Sequence, residues 1–172
     1  RDGECGLMHD ATVNRTTDGR GAVRDFDLAA LRKLDAGRWK DPRFAGTRVP
    51  TLAEAFAAVP RHVWINLDVK ADARFGDRLP ETIRRVVAQI MAEGRQAQVF
   101  LAVRSDAAAI AREAAPGIRI CNMDRAPDPA AYVRAAIAQR ADFIQLRDCA
   151  KDPRLAAWIA ELHAARVKVN YY

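Results

Sequence analysis

From residue 63 onward, the apolar positions alternate between two rhythms. Short apolar runs at 63–69, 99–103, 118–121 and 143–146, and a last one from 167 to 172, read as buried strands. The intervening segments carry their apolar residues at helical spacing and predict helices over 80–92, 106–115, 128–139 and 153–165. In the first of these, Ile83, Val86, Val87 and Ile90 share one face, and Gly94 supplies the stop. Asp106 and Asp128 stand where helix caps are expected.

The first sixty residues are less regular. A strand is expected near 4–8, after a turn at Arg1-Asp2-Gly3, and a polar, glycine-punctuated loop follows it to Gly21. Leu28, Leu31 and Leu34 then recur at helical spacing between a capping Asp27 and a terminating Gly37. Residues 38–49 show no period and read as an ordered loop packed by Trp39 and Phe44. Thr51-Leu52-Ala53-Glu54 is a capping box that opens a helix to about Val59, and Pro60 ends it.

Repeated strand-helix units argue for a parallel sheet covered by helices, with about six strands in the pattern. An open, doubly wound sheet with a nucleotide site would place a glycine-rich turn after its first strand, and none is present. A closed barrel gathers its chemistry at the C-terminal ends of several strands. The expected fold class is therefore α/β, as a barrel.

Composition narrows the partners. Half of the 172 residues are apolar and 29% are charged, which suits a single globular domain with a full core. The net charge of +6 comes from arginines scattered along alanine-rich stretches, and no basic block is interleaved with aromatics. No nucleic-acid partner is expected; a small phosphate-bearing substrate suits the charge. No apolar run reaches the length of a membrane span, so no stable membrane insertion is expected. Cys5, Cys121 and Cys149 form an odd count without metal or redox spacing and read as buried free thiols.

Chemistry concentrates at two strand ends. Gly6-Leu7-Met8 delivers His9 and Asp10 to the polar loop, and a histidine there suits acid-base work near neutral pH. Farther on, Ile65-Asn66-Leu67-Asp68-Val69-Lys70 ends on a carboxylate and a lysine two positions apart, which puts both on one side of a strand. That pairing suits half of a metal and phosphate site.

The spacing of His9-Asp10, Arg15-Thr16-Thr17, Gly19 and Gly21, with Val49-Pro50-Thr51-Leu52-Ala53-Glu54-Ala55 and Ile65 to Lys70, resembles the glycerophosphodiester phosphodiesterase family. The resemblance implies a TIM-type (β/α)8 barrel that hydrolyses glycerophosphodiesters to sn-glycerol 3-phosphate and an alcohol with Ca2+ or Mg2+. It implies that His9 is a catalytic histidine, Asp68 a metal ligand and Lys70 a catalytic lysine beside the phosphate. Arg15 is expected to brace Asp10 or its loop. Glutamate more often stands where this chain has Asp68. Family members also begin with a strand ending in His-Arg-Gly and another bearing Glu-x-Asp. By that pattern, about two strands, and a closing segment at the other end, are expected beyond this chain.

The remaining polar and aromatic residues read as structural. His62 lies at the far end of its strand and His163 on a late helix, while Trp64, Trp158 and Tyr132 read as packing. Trp39 and Phe44 stand where they could border a substrate mouth. Two other functions fit the same residues: a phospholipase D of the sphingomyelinase type, and a non-catalytic barrel that binds phosphate compounds without turnover.

Overall fold

Five strands, β1 (Ile65–Asp68), β2 (Val99–Val103), β3 (Arg119–Asn122), β4 (Phe143–Leu146) and β5 (Lys168–Tyr171), pair in parallel and in chain order. A doubly wound sheet reverses its strand order at a switch point, and this one does not. Uninterrupted order is what consecutive strands of a (β/α) barrel show. The computed structural model describes residues 4–70 and 78–171. The chain divides into two compact units, Arg1–Pro60 and Arg61–Tyr172, and the sheet belongs to the second.

The helices of that unit are α3 (Leu79–Ala92), α4 (Ser105–Ala114), α5 (Pro129–Ala138) and α6 (Leu155–Ala164), each within a residue or two of its expected bounds. Ile83, Val86, Val87 and Ile90 are the buried face of α3. Its end is a full Schellman turn: Gly94 takes φ +59°, its N–H reaches the Met91 carbonyl at 3.0 Å, and the Arg95 N–H reaches Ile90 at 2.9 Å. Asp128 caps α5 as expected, accepting from the Ala130 and Ala131 N–H groups. Asp106 does not cap α4. The Ser105 N–H is taken instead by Asp124 at 3.1 Å, because the loop after β3 brings that carboxylate to the helix N-terminus.

The two faces of the sheet differ. On one, Ile144 and Leu146 pack with Tyr132, Val133, Ala136, Trp158 and Leu162 of α5 and α6. On the other, Phe100, Ala102, Cys121 and Phe143 form a separate cluster to which, among the described residues of this unit, no helix contributes a buried member. Phe100 and Phe143 stack at 4.2 Å, and Trp64 meets Phe143 edge-on at 5.5 Å. Trp158 and Tyr132 are buried packing residues as expected, whereas Trp64 is half exposed.

In the first unit the strand expected at 4–8 does not form among the described residues; Arg1-Asp2-Gly3 and Tyr172 lie outside them. Gly6 makes one antiparallel bridge to Thr51, flanked by Leu7 N–H to Pro50 O and Leu52 N–H to Cys5 O, both at 2.9 Å. Pro50 has no N–H with which to carry the ladder on. The expected leucine helix is the single turn α1 (Leu28–Leu31), capped by Asp27, and α2 (Leu52–Ala58) opens on the expected Thr51/Glu54 capping box. Glu54 also accepts from Arg32 Nη1 at 2.6 Å, which ties α2 to the end of α1. Gly37 is required by close approach, since a Cβ there would lie 1.9 Å from the Phe44 carbonyl oxygen.

Candidate active site

The loop that carries His9 is held by its own polar residues. Thr12 bridges Ala22, Val13 N–H reaches Gly21 O at 3.0 Å, and the Val13 side chain is wholly buried. Thr17 Oγ1 donates to Val13 O at 2.7 Å and accepts from Gly19 N–H at 3.0 Å, while Asn14 Oδ1 accepts from Gly21 N–H at 2.8 Å. Gly21 takes φ +122°, a region that side chains disfavour. These residue types at this spacing are what the turn requires.

The turn aims Arg15 back at Asp10. Its Nε and Nη2 donate to the two Asp10 oxygens at 2.6 and 2.8 Å, and Asp10 Oδ1 meets His9 Nδ1 at 2.8 Å. Trp39 lies 5.8 Å from the Arg15 guanidinium, and its indole N–H donates to Ala36 O at 2.9 Å. The Arg15 bonds first, then the His9 contact, hold the Asp10 carboxyl far below the usual carboxylate range. Asp10 is therefore ionised and accepts only, which puts the His9 proton on Nδ1 and leaves Nε2 free to exchange a proton. The His9 side chain is 79% exposed, so that nitrogen is accessible.

In the second unit, β1 buries Leu67 and leaves Asn66 and Asp68 exposed on the opposite face. Val69 N–H still bonds Ala102 O at 3.1 Å, which carries the alternation one step past the strand. Lys70 thus projects on the Asp68 side, and its ammonium forms an ion pair with the Asp68 carboxylate. The register Asp68↔Ala102 and Ala102↔Cys121 sets these residues in one row. Burial pushes the Cys121 thiol up to about 12; the Arg125 charge lowers it and the Asp68 charge raises it, so the thiol stays protonated and inert.

Sequence reasoning passed over a polar cluster at the C-terminal end of β3. Asn122, wholly buried, donates to Asp124 Oδ2 at 3.0 Å and to Gln139, and its Oδ1 accepts from Asp124 N–H at 3.0 Å. Gln139 Nε2 reaches the same Asp124 oxygen at 2.9 Å, Ser105 Oγ donates to it, and the Tyr132 hydroxyl donates to Asn122 O. Burial raises the Asp124 carboxyl, but these donors outweigh that and hold it low. Beside it, Arg125 Nη2 donates to Gln145 Oε1 at 3.0 Å. The signal was available: polar residues just after an apolar run, as at Asp68.

Of the residues expected to be functional, the structure joins His9 to Asp10 in the first unit and Asp68 to Lys70 in the second. No group of three or more His, Cys, Asp or Glu positioned to hold a metal ion occurs among the described residues. No helix among them is long and apolar enough to cross a membrane.

The family model described as the glycerophosphoryl diester phosphodiesterase family matches residues 1–171. A glycerophosphodiester phosphodiesterase from Caldanaerobacter subterraneus is 35% identical over 96 residues, covering 55% of this chain and 40% of that protein. Mouse glycerophosphodiester phosphodiesterase 1 is 44% identical over 75 residues, 42% of this chain and 23% of the mouse protein. An Oleispira antarctica phosphodiesterase, solved in complex with the product sn-glycerol 3-phosphate, superimposes with a TM-score of 0.82 at 25% identity. That likeness covers 99% of this chain and 68% of the other. The chain thus spans less than half the length of the two named sequence relatives.

Proposed function

The chain belongs to the glycerophosphoryl diester phosphodiesterase family, and from that premise we propose that its protein hydrolyses glycerophosphodiesters to sn-glycerol 3-phosphate and an alcohol. The observation that carries this reading is the family match along residues 1–171; the residue roles rest on the geometry around His9, Asp10 and Arg15 and at the C-terminal end of β1.

Hydrolysis joins an oxygen nucleophile to phosphorus, breaks the bond from phosphorus to the alcohol oxygen, and returns a proton to that oxygen. His9 serves this proton traffic through Nε2, with Asp10 fixing its tautomer. Lys70, on the face that carries Asp68, neutralises charge that develops on the non-bridging oxygens. Its pairing with Asp68 holds the ammonium in place before substrate arrives.

Asp68 is the carboxylate this chain would offer a divalent cation. A hard cation takes six or more oxygen ligands, roughly, and the described residues bring one carboxylate to this face, so they do not by themselves fit the ion. Such an ion supplies Lewis acidity when bound; no step above is routed through it.

The test is release of sn-glycerol 3-phosphate from a panel of glycerophosphodiesters by the full-length protein, with and without chelator. Turnover abolished by chelator and restored by Ca2+ or Mg2+ is the expected result. No release from any diester, with phosphate compounds still bound, would establish the non-catalytic alternative. Turnover confined to sphingomyelin or lysophospholipid would establish the phospholipase D alternative.

A further inference from the structure

We propose that the loop from Arg38 to Arg48 is a peripheral membrane contact that seats Trp39 and Phe44 in the interface of an anionic lipid surface. Such a contact lies on the bilayer and needs no spanning segment, which no described helix supplies.

A braced loop here leaves its largest apolar side chains in water. Among the described residues of the first unit, Trp39 and Phe44 are the large hydrophobic residues left exposed, each at 50%. Loose packing does not account for this, because the loop is closed by its own backbone. Ala36 N–H bonds Thr47 O at 2.7 Å, Lys40 N–H bonds Gly37 O at 3.0 Å, and Thr47 N–H bonds Phe44 O at 3.1 Å. Gly37 packs against the Phe44 carbonyl, and Trp39 lies two residues, roughly 7 Å of chain, beyond it. Both rings therefore belong to one small patch. Arg15 lies 5.8 Å from the Trp39 ring and also grips Asp10, so docking of this patch brings the His9 loop to the lipid surface.

The charge around the rings names the partner. Residues 38–48 hold four cations, Arg38, Lys40, Arg43 and Arg48, against the single carboxylate of Asp41. Arg43 pairs with Asp41 and Arg38 with Asp35, so the excess rests on Lys40 and Arg48, both exposed. Lys40 stands 6.0 Å from the Trp39 ring and Arg43 5.8 Å from the Phe44 ring. Anionic lipids attract such cations at the depth where aromatic rings settle. The Trp39 indole N–H already donates to Ala36 O at 2.9 Å, so the ring leaves water without an unsatisfied donor. Area decides between a bilayer and a protein. Two half-exposed rings offer roughly 200 Å², far below the ~800 Å² that each partner buries in a stable protein interface. A second copy of the chain would also set like charges against each other. A lipid interface takes single aromatic side chains and needs no such area.

The experiment measures co-sedimentation of the full-length protein with vesicles of phosphatidylcholine alone or mixed with phosphatidylglycerol, at low and high salt. The wild type should bind the mixed vesicles at low salt, leave them at high salt, and bind pure phosphatidylcholine far less. Lys40→Gln and Arg48→Gln should each weaken binding about fivefold, and Phe44→Ser about tenfold or more. Trp39→Phe keeps a ring on the loop and should still bind, but should lose the quenching of tryptophan emission by brominated lipid that the wild type shows. Circular dichroism checks the fold of each variant. No binding to the mixed vesicles overturns the proposal, as does binding that Phe44→Ser leaves intact. Binding without quenching at Trp39 overturns it as well, because the charges would then act without the rings. A loop that borders the substrate mouth instead would show no vesicle binding and a raised KM for a soluble diester in Phe44→Ser. Vesicle binding needs no turnover, so it stands or falls apart from the phosphodiesterase reading.

Discussion

Arg15 grips the Asp10 carboxylate through both of its oxygens, at 2.6 and 2.8 Å, and that same carboxylate holds the Nδ1 edge of His9 at 2.8 Å. The two bonds divide the work: the fork fixes where the carboxylate points, and the carboxylate fixes which ring nitrogen carries the proton. His9→Ala should leave the protein folded and lower kcat by about 10²–10⁴-fold, the usual scale of general acid-base catalysis. Asp10→Asn should cost less, about 10–100-fold, because the imidazole remains and only its orientation and tautomer are released. The double variant should be no slower than His9→Ala alone. Arg15→Lys, which keeps the charge and loses the fork, should fall between wild type and Asp10→Asn. Steady-state kinetics with circular dichroism as the folding control decides each case; an additive double variant would remove Asp10 from the action of His9.

The ion pair at the end of β1 makes a second prediction. Lys70→Gln should lower kcat by about 10²–10³-fold if its charge acts on the transition state, with a smaller change in KM. Asp68→Glu restores the residue more common in this family and should keep most activity, whereas Asp68→Asn should lose it. Calcium titration of the same variants, followed calorimetrically, should show weaker binding in Asp68→Asn. Unchanged calcium affinity in that variant would remove Asp68 from the ligand set.

How much of this was legible beforehand differs between the two units. In the second, strand-helix alternation, the Ile83/Val86/Val87/Ile90 face and the Gly94 stop appear where the pattern puts them, because local periodicity and tertiary burial agree there. The same-side placement of Asp68 and Lys70 followed from a period of two and needed no tertiary information. The first unit was harder to read. The apolar run near Gly6 has a strand's composition, but its partner segment contains Pro50 and the pairing stops at one bridge. The polar residues just after the β3 run were legible, but the Asn122/Asp124/Gln139 cluster was missed because Gln139 meets them only when β3 and α5 pack. The Asp106 cap was wrong for the same reason: a carboxylate eighteen positions on in the chain takes the helix N-terminus instead.

Asp35 carries the loop that holds Trp39, and its ionisation predicts an acid sensitivity. Its Oδ1 accepts from the Gly37 and Arg38 N–H groups at 2.9 and 3.0 Å, and its Oδ2 from Gly46 N–H at 2.9 Å. Those backbone donors, Arg38 first, lower its pKa to about 2. A depressed folded-state pKa contributes stability that is fully present above the unfolded value near pH ~4 and is lost as pH falls through the folded one. The wild type should therefore melt at a higher temperature than Asp35→Asn above pH ~4, and the gap should close as pH approaches ~2. Thermal melts across that range check it; a gap that stays constant would show that the charge of Asp35 contributes nothing.

Two helix ends store strain that a substitution can release. α5 and α6 finish in the same Schellman geometry as α3, with Arg140 at φ 50° and Arg166 at φ 62° where α3 has Gly94. Arg140 N–H bonds Ile137 O at 2.9 Å and Ala141 N–H bonds Ala136 O at 3.0 Å; Arg166 and Val167 repeat this on His163 and Leu162 at 2.9 and 2.8 Å. The left-handed region costs an L residue about 1–2 kcal/mol and costs glycine little, although glycine gives back about 0.5–1 kcal/mol in unfolded-state entropy. Both arginine side chains are exposed, so little packing is lost on their removal. Arg112 donates to the Arg140 carbonyl at 2.7 Å, and a glycine there keeps that acceptor. Arg140→Gly and Arg166→Gly should each stabilise the fold by about 0.5–1 kcal/mol, with the double variant summing the two because each acts on its own turn. Urea denaturation measures this directly: a rise in the midpoint at unchanged m is expected, and destabilisation by either glycine would mean that its arginine side chain contributes more than its backbone costs.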